Sequence, residues 1–472
     1  MSSWTERDVL AALPLADRLD GAATREDSGS DSLAYSSIST DTRSMAPGAV
    51  FVALRGEHFD AHEFLGQAAE RGARAAVVER IPAGAPPLRY YQVPDTLAAL
   101  GRLGRYRRRQ VDGRVVAITG TAGKTTTKEM ARAVVGTRYV THATSGNLNN
   151  LVGAPLTLVD TPLDAEALVV EIGTNAPGEI ARLAEMVEPD VGIVTGVAAG
   201  HLEGFGTIEG VLREKTTLVS RLSPGGLALV ADEPASLPDR ARSLTRRVKV
   251  AGWSSRADKS LRAESLRIDG QGLVNFRWQG RDVALPFGGR AHVRNALLAL
   301  ALGLEWGVDL DDALAALRSL PPPKLRGEIF RIGGLAVIAD CYNSNPASLD
   351  AAMDTLLSMP RAGGRVVVVG SMLELGSQSD VLHAQAARSI ARSDLDLVVA
   401  VGLFEPAFRP LADQLGERLV LAEDAESAFE PMAERLQGEE IVLLKGSRGV
   451  ALEQLIPKLE SRFSGGGRKK GD

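Results

Sequence analysis

Short apolar runs recur along the chain, and segments long enough to form helices separate most of them. The middle of the chain holds the runs VVAIT, ALVVEIG, VGIVTG and GLALVAD, and the last part holds LAVIAD, RVVVVG, LDLVVAVG and EIVLLKG. Unbroken apolar runs of this length are typical of strands buried on both faces of a parallel sheet. Each part therefore predicts an α/β sheet with crossover helices, and ligands bind such sheets at the carboxyl ends of the strands.

The first part of the chain is built differently, with the runs AVFVALRG, ARAAVVE and LRYYQVP separated by turn signals. It predicts a small α/β unit that closes with the helical segment TLAALGRLGRYRRRQV. The stretch PPPK at 321–324 favours stiff, extended chain and marks a boundary. We expect an α/β protein of three domains, with a small N-terminal domain over 1–111, a central parallel-sheet domain over 112–322 and a Rossmann-like domain over 323–464. The Gly-rich, charged segment 465–472 is expected to be a disordered tail.

The loop after the first central run carries the clearest chemistry. VVAIT leads into GTAGKTT at 120–126, and a helix-compatible segment follows. Backbone N–H groups at such a junction cradle phosphates, and the helix dipole favours negative charge there. The usual G-x-x-x-x-G-K-[ST] spacing requires glycine where this chain has Ile118, so the loop is a shortened form that starts at Gly120. Lys124 would reach the outer phosphates and the Thr125 hydroxyl would hold Mg²⁺, which makes the central domain a P-loop ATPase domain.

Composition narrows the class of protein. The chain has 472 residues, 44% of them hydrophobic, and a formal net charge of −5, which argues against a nucleic-acid-binding protein. One cysteine excludes an intrachain disulfide framework. The start, MSSWTERDVL, lacks the cationic and apolar regions of a signal peptide, and no apolar run is long enough to span a bilayer, so a cytoplasmic protein is expected. One basic cluster is either a nucleic-acid patch or, as we favour, the cationic end of a helix: Arg105, Arg107, Arg108 and Arg109.

Polar residues at strand ends are the next candidates. Glu171 ends ALVVE, and a carboxylate there is either a cap or salt-bridge partner or a ligand of Mg²⁺. His201 follows VGIVTG inside a Gly-rich segment, which favours a second metal ligand or an orienting group over a structural histidine. Asp340 ends LAVIAD, and the Asn/Ser/Pro turn after it is typical of a site loop. Cys341 in that turn has no implied partner base, so we expect a neutral thiol, buried or half-buried.

Other candidates depend more on context. Lys215, in a helical segment, would ordinarily be a solvated surface charge. His292 and Asn295 start an apolar helical run, where Asn295 either caps the helix or contacts a purine edge. Four polar residues follow the last strands of the C-terminal sheet and could hold an amino-acid or peptide carboxylate: Glu374, Lys445, Ser447 and Arg448.

These residues together resemble the Mur ligases of bacterial cell-wall synthesis. The family's shortened phosphate loop, G-T-x-G-K-T, stands here as GTAGKTT. The order and spacing of further motifs are similar to the member of the family that adds D-alanyl-D-alanine: STDTR, FVALRGEHFDAHEF, SGNLNNLVGAPLTL, AAGHLEGFG, YNSNPAS, GSMLELG and LLKGSRG. The D-N-P-R sequence typical of the preceding ligase is not found. Ala122, where Asn or Ser is commoner, and Cys341, where a small polar residue is commoner, are mild departures.

The resemblance implies roles for individual residues. ATP would be bound by Thr121, Ala122, Gly123, Lys124, Thr125, Thr126, Asn295, Arg326 and Asp340, with Asn295 facing the adenine. Thr125 and Glu171 would hold one Mg²⁺, and His201 with a carbamylated Lys215 would serve a second, which reverses the surface interpretation of Lys215. Lys124, His201 and Lys215 would be the catalytic set. The substrates would contact Asp41, Thr42 and Arg43 on the uridine side, Asn147, Asn149 and Asn150 on the muramoyl-peptide side, and Asn343, Glu374, Lys445, Ser447 and Arg448.

The implied activity is ATP-dependent joining of D-alanyl-D-alanine to a UDP-N-acetylmuramoyl-tripeptide through an acyl phosphate. The implied partners are these small molecules, with no nucleic acid, no membrane span and a monomeric state. Two alternatives stay open. One is a sister ligase that adds a different amino acid, and the other is a non-catalytic protein that binds UDP-muramoyl peptides. A generic P-loop kinase would leave the C-terminal third of the chain unexplained.

Overall fold

A computed structural model describes residues 3–14, 17–20, 33–56, 59–360 and 363–464, with the backbone alone at 17–20. The predicted disordered tail at 465–472 lies outside the described residues. The chain packs as two compact units, one formed by Met1–Thr119, Arg138–Ile193 and Thr217–Ala228, and the other by Gly120–Thr137, Val194–Thr216 and Leu229–Asp472.

The N-terminal elements are β1 (Trp4–Thr5), α1 (Glu6–Ala12), β2 (Asp17–Asp20), β3 (Ala34–Tyr35), β4 (Ile38–Ser39), β5 (Val50–Val52), α2 (Leu65–Glu70), β6 (Ala75–Val78), β7 (Arg89–Gln92) and α3 (Thr96–Gln110). The main sheet has the order β2-β7-β6-β5-β4, in which β2 is antiparallel to β7 and the other pairs are parallel. Alternate residues of β5 face two separate cores, Val50 and Val52 on one side and Phe51 on the other. Burial on both faces explains why the strand is continuously apolar.

The central elements are β8 (Arg114–Thr119), α4 (Lys124–Val135), β9 (Thr141–Ala143), α5 (Gly153–Val159), β10 (Ala167–Glu171), α6 (Glu179–Val187), β11 (Val191–Val194), α7 (Leu202–Phe205), α8 (Ile208–Ser220), β12 (Leu227–Ala231), α9 (Ser236–Leu244) and β13 (Val248–Ala251). The strand order is β13-β12-β11-β8-β10-β9, and β10 pairs in parallel with both β8 and β9. The four predicted central strands are all present as β8, β10, β11 and β12. Strand β8 lies inside the sheet, and the Gly-rich loop leaves its carboxyl end.

A three-stranded sheet and two helices follow: β14 (Glu264–Ile268), β15 (Val274–Trp278), β16 (Arg281–Ala284), α10 (Ala291–Glu305) and α11 (Leu310–Arg318). The antiparallel sheet β14-β15-β16 was not among the sequence predictions. Helix α10 packs closely on α4, because a Cβ atom on Gly303 would lie 2.4 Å from Cγ1 of Val134. This contact helps to set the position of Asn295, the fifth residue of α10.

The C-terminal elements are β17 (Glu328–Ile332), β18 (Leu335–Asp340), α12 (Pro346–Ser358), β19 (Arg365–Val369), α13 (Ser379–Ala391), β20 (Leu397–Val401), α14 (Phe404–Phe408), α15 (Ala412–Leu415), β21 (Leu419–Ala422), α16 (Ala425–Ala433), β22 (Ile441–Lys445) and α17 (Leu455–Phe463). The order is β17-β18-β22-β19-β20-β21, parallel except for β17. Val366 and Val368 of β19 face one core and Val367 and Val369 the other, so helices cover both faces.

The expected fold class, α/β with a parallel central sheet and a second Rossmann-like sheet, is confirmed. Within the described part of the chain, no helix is long and apolar enough to cross a membrane. Cys341 is buried, as expected, and burial raises the pKa of its thiol to about 12.

Candidate active site

The loop after β8 requires glycine at two positions. Gly120 and Gly123 have φ of +152° and +84°, which side chains rarely adopt. A Cβ on Gly120 would lie 2.0 Å from Oγ1 of Thr195, and a Cβ on Gly123 would lie 2.6 Å from Oδ1 of Asn295. The chain therefore passes close to its neighbours here, with its amide groups unshielded by side chains. This is the arrangement that lets a backbone approach phosphate oxygens.

A segment after β11 braces this loop. The Thr195 hydroxyl donates to the carbonyl of Ala122 over 2.5 Å, and the N–H of Thr121 donates to the carbonyl of Gly196 over 3.0 Å. Sequence reasoning missed Thr195, although its place directly after the buried run VGIV was a usable signal. Helix α4 begins at Lys124 straight after the loop, so its N-terminal dipole points at the cradle.

Lys124 and Thr125 are half-buried, Thr126 is buried and Ala122 is exposed. The ammonium of Lys124 donates to the carbonyl of Gly120 over 2.9 Å, folding back over the loop it would serve. A hydrogen bond from a charged donor contributes about 1.5–3 kcal/mol net, and a phosphate oxygen carries a negative charge that the Gly120 carbonyl lacks. The lysine can exchange this carbonyl for a phosphate oxygen.

Lys215, on α8, is completely buried, and its Nζ has no hydrogen-bond partner among the described residues. Burial, together with the nearby charge of Lys124, holds the pKa of Lys215 well below its ordinary value. The surface interpretation of this lysine is therefore wrong. A buried, unpartnered amine with a lowered pKa is chemically suited to modification, because only the neutral form of an amine is a nucleophile.

His201 and Glu374 meet in the same compact unit. The Nδ1 atom of His201 lies 2.8 Å from Oε2 of Glu374, and the imidazole is mostly buried. This hydrogen bond lowers the pKa of Glu374, and the charge of Lys124 contributes to the shift. Lys124 thus interacts electrostatically with both Lys215 and Glu374, and Glu374 contacts His201. The pairing of His201 with Glu374 was not predicted from the sequence.

Asn295 is buried beside the loop at Gly123, and its Nδ2 lies 3.3 Å from Nδ1 of His292. The His292 imidazole also hydrogen-bonds the backbone of Arg326. Burial lowers the pKa of His292 to about 4, so the ring is neutral. The guanidinium of Arg326 stacks on the ring of Tyr342 at 4.0 Å. The contact of Asn295 with adenine stays a prediction.

At the carboxyl edge of the C-terminal sheet, Asp340 and Lys445 are register partners in β18 and β22. The buried Nζ of Lys445 lies 3.4 Å from Oδ2 of Asp340 and donates to the carbonyl of Asn343. Burial lowers the pKa of Lys445. The Ser447 hydroxyl accepts the N–H of Leu373, and Arg448 forms an ion pair with Glu453. These groups have internal partners, and their role toward a substrate stays a prediction.

In the other compact unit, Glu171 ends β10 with its side chain buried. Its Oε1 accepts a hydrogen bond from Nδ2 of Asn149 over 2.7 Å. Asn150 accepts hydrogen bonds from the backbone N–H groups of Val152 and Gly153 and so braces the turn that leads into α5, while Asn147 is exposed. Asn149 is thus placed with Glu171, and Asn150 has a structural role of its own.

The residues expected near the uridine form a compact turn. The guanidinium of Arg43 forms a two-pronged ion pair with Asp41, which lowers the pKa of Asp41 to about 2. The Thr42 hydroxyl is buried and donates to Oε1 of Gln67. Arg43 is otherwise exposed, so its guanidinium is accessible to a ligand.

The arginines at the C-terminal end of α3 contact other groups of the same chain. Arg105 and Arg109 both pair with Glu188, and Arg108 donates to the carbonyl of Val187. Arg107 is buried and lies 4.3 Å over the ring of Trp4. The helix-end interpretation of this cluster is therefore favoured over a nucleic-acid patch.

No group of three or more His, Cys, Asp or Glu side chains placed to hold a metal ion occurs in the described ranges. Two features of the structure suit the expected nucleotide and metal ions. They are the glycine cradle at Gly120 and Gly123 and the unpartnered amine of Lys215. The cradle fits nucleotide phosphates, and the amine fits a carbamate, which would supply an anionic oxygen ligand.

Three protein-family models together match most of the chain, including the segments that carry the candidate active site. The Mur ligase middle domain matches residues 118–303, the Mur ligase glutamate ligase domain matches 325–448, and the Mur ligase family catalytic domain matches 34–108. The chain belongs to the Mur ligase family, whose members are ATP-dependent ligases, and the resemblance drawn from its motifs is confirmed.

Individual relatives are similar along their full length. The UDP-N-acetylmuramoyl-tripeptide–D-alanyl-D-alanine ligase of Escherichia coli (strain K12) is 36% identical over 94% of this chain and 97% of its own. The ligase of the same name from Bacillus subtilis (strain 168) is 32% identical over 89% and 92%. A crystal structure of MurF from Acinetobacter baumannii has a TM-score of 0.86 at 32% identity, covering 97% of this chain and 99% of that one. MurF from Thermotoga maritima, solved in complex with ADP, has a TM-score of 0.78 at 26% identity over 91% and 98%.

Proposed function

We propose that the chain is an ATP-dependent ligase that joins D-alanyl-D-alanine to a UDP-N-acetylmuramoyl-tripeptide in the synthesis of peptidoglycan precursors. The products would be the UDP-muramoyl-pentapeptide, ADP and phosphate. The observation that carries the proposal is the glycine cradle at Gly120 and Gly123, with Lys124 beside it, in a chain similar from end to end to ligases of that name.

The chemistry requires activation of a carboxylate, because a carboxylate does not accept an amine at neutral pH until one of its oxygens becomes part of a good leaving group. The terminal carboxylate of the tripeptide attacks the γ-phosphorus of ATP, forming an acyl phosphate and releasing ADP. The amine of the dipeptide then attacks the acyl carbon, and phosphate leaves with the carboxylate oxygen. Lys124 and the loop amides offset the charge of the two anions that meet in the first step.

Mg²⁺ would neutralise phosphate charge and orient the transferring group. We assign Thr125 to the ion at the nucleotide phosphates, and His201 with a carbamylated Lys215 to a second ion. The lowered pKa of the buried Lys215 amine supports the carbamate, because an uncharged amine can add to CO₂ with loss of a proton. The assignment of Glu171 as a ligand stays a prediction.

We also propose domain boundaries at residues 111 and 322, a monomeric state and a cytoplasmic location. The contacts of Asp41, Thr42 and Arg43 with the uridine and of Asn147, Asn149 and Asn150 with the muramoyl peptide rest on the family resemblance.

A coupled assay of ADP release tests the function. It would use UDP-muramoyl tripeptides with either meso-diaminopimelate or lysine in the third position, with and without D-alanyl-D-alanine, against a panel of single amino acids. We expect ADP only when tripeptide and dipeptide are both present. Faster release with a single amino acid would instead assign a sister ligase, and ATP binding without turnover on any acceptor would assign a non-catalytic binding protein.

The carbamate has a separate test. Incubation with ¹³C-bicarbonate should give one carbamate carbon resonance in the wild-type protein and none in Lys215→Met. The same spectrum from both proteins would remove the carbamate from the proposal and leave the ligase activity to the ADP assay.

A further inference from the structure

His201 and Glu374 share an unusual backbone conformation. Neither is glycine, yet φ is +54° at His201 and +65° at Glu374. The left-handed region costs an ordinary residue about 1–2 kcal/mol, and such residues persist only where their surroundings hold them. Both residues direct their side chains into one hydrogen bond of 2.8 Å. The two residues with strained backbone conformations are therefore the same two whose side chains form this hydrogen bond.

The loop that carries Glu374 is fixed at its base by side chains on other elements. Nε2 of His383, on α13, accepts the N–H of Met372 over 2.9 Å, and the Ser447 hydroxyl accepts the N–H of Leu373 over 3.0 Å. Nδ1 of His383 lies 2.8 Å from the carbonyl of Ser379 and donates to it. The two residues before Glu374 are thus held through their main chain.

The other end of the loop rests on the segment that follows His201. A Cβ on Gly376 would lie 3.0 Å from Cα of Glu203, so the two backbones are in close contact. Nε2 of Gln378 donates to the carbonyl of Gly206 over 3.1 Å. The loop from Ser371 to Gln378 is therefore docked on both sides of the hydrogen bond between Glu374 and His201.

We propose that Glu374 is a positioning residue that holds the His201 imidazole in its Nδ1–H tautomer. The carboxylate accepts a hydrogen bond from Nδ1–H, and Nε2 then keeps its lone pair for a metal ion or a donor group on the substrate. Carboxylates commonly fix ligand histidines in this way, and losing such a partner typically costs 10–100-fold in metal affinity or activity. This inference rests on the proposed function for its catalytic meaning, but its geometry stands alone.

Imidazole tautomers can be observed directly. Long-range ¹H–¹⁵N spectra of protein labelled at its six histidines, recorded above pH 8 without nucleotide, distinguish Nδ1–H from Nε2–H rings, and His→Gln variants assign the signals. We expect His201 to give the Nδ1–H pattern in the wild type and in Glu374→Gln, whose side-chain carbonyl still accepts a hydrogen bond from Nδ1–H. Glu374→Ala should convert His201 to the Nε2–H form or to a mixture. An unchanged His201 pattern in Glu374→Ala would overturn the proposal.

Another histidine in the same spectra serves as an internal reference for the His201 signal. His62 faces Asp60 through Nδ1 and accepts the N–H of Glu79 at Nε2, so its Nδ1–H pattern should persist in every variant and report that the protein is folded. Glu405→Gln is the matched control, because Glu405 is paired with Arg409 rather than with a histidine. This control should leave the His201 signal unchanged.

Kinetics then separate positioning from binding. Glu374→Ala should lower kcat about 10- to 100-fold with little change in the KM for ATP, and Glu374→Gln should recover most of the loss. A wild-type protein without ligase activity would overturn the proposed function but leave the tautomer result intact. Equal kcat in the wild type and Glu374→Ala would exclude a role for the pair in the reaction.

Discussion

The phosphate loop and the carboxyl edge of the C-terminal sheet both lie where parallel strands end, yet they use their lysines differently. Lys124 is half-buried and donates to a neutral carbonyl of its own loop. Lys445 is buried and held by the carboxylate of Asp340 and the carbonyl of Asn343. A half-buried lysine beside the loop amides is placed to reach a ligand, whereas removing one partner of a buried ion pair costs about 3–5 kcal/mol. A lysine in the loop after a parallel strand is therefore a stronger candidate for ligand binding when it stays partly exposed than when it is buried against a carboxylate of its own sheet.

The largest effect should come from the lysine of the phosphate loop. Lys124→Ala should lower dipeptide-dependent ADP release about 10³-fold, because it removes a preorganised charge from the transferring phosphoryl group. Circular dichroism and the melting temperature should match the wild type. Near-normal turnover in a folded Lys124→Ala protein would remove the loop from the mechanism.

The shape of the cradle is the next target. Gly120→Ala should destabilise the protein by about 3 kcal/mol and weaken ATP binding, because the new Cβ overlaps Thr195 and the backbone has a positive φ. Gly280→Ala is the matched control, since Gly280 also has a positive φ but no atom within 4 Å of the added Cβ. Calorimetric titration with ATP and denaturant unfolding would measure both changes. Equal effects of the two substitutions would contradict the steric account.

The neutral histidine beneath the loop gives a pH dependence. The unfolded chain protonates His292 near pH 6.5, whereas the folded protein does so only near pH 4. The folded state therefore loses stability as pH falls from 6.5 to 4, by up to roughly 3 kcal/mol from this one group. Unfolding measured across this range should show a steeper acid loss in the wild type than in His292→Gln. Parallel curves would show that folding leaves the pKa of His292 unchanged and would contradict this account.

The smallest effect on turnover is expected at the edge of the C-terminal sheet. Lys445→Met should lower stability by about 2 kcal/mol, less than for a wholly buried pair because Asp340 is partly exposed. The KM values for ATP and dipeptide should change only a few-fold. Unchanged stability with a strongly raised KM for the dipeptide would instead assign the dipeptide carboxylate to Lys445.

Much of the fold could be predicted because buried parallel strands are continuously apolar. The four central runs and the four C-terminal runs all became strands, and the loop at Gly120 lies between a strand and a helix as its sequence indicates. The sheet β14-β15-β16 was missed because strands such as Glu264–Ile268 are short, half-exposed and interrupted by charges. Edge strands β17 and β21 were missed as well, since both are short and only partly buried.

Site residues could be predicted where their role depends on neighbours in the sequence. They were harder to predict where the role depends on tertiary packing. Lys124 and Thr125 follow from the loop itself. Burial of Lys215 follows from the packing of α8, which nothing in GVLREKTTLV reveals. The bond between His201 and Glu374 joins segments far apart in the chain, and single-sequence patterns carry no information on such pairs.

The central claim is that ATP is used to activate the tripeptide carboxylate, and transfer of an oxygen atom tests it most directly. A tripeptide substrate with ¹⁸O in its terminal carboxylate would be turned over with D-alanyl-D-alanine and ATP, and the phosphate product analysed by mass spectrometry. An acyl phosphate intermediate predicts that each phosphate released carries one oxygen from the labelled carboxylate. Phosphate without label, formed together with the pentapeptide product, would contradict the account.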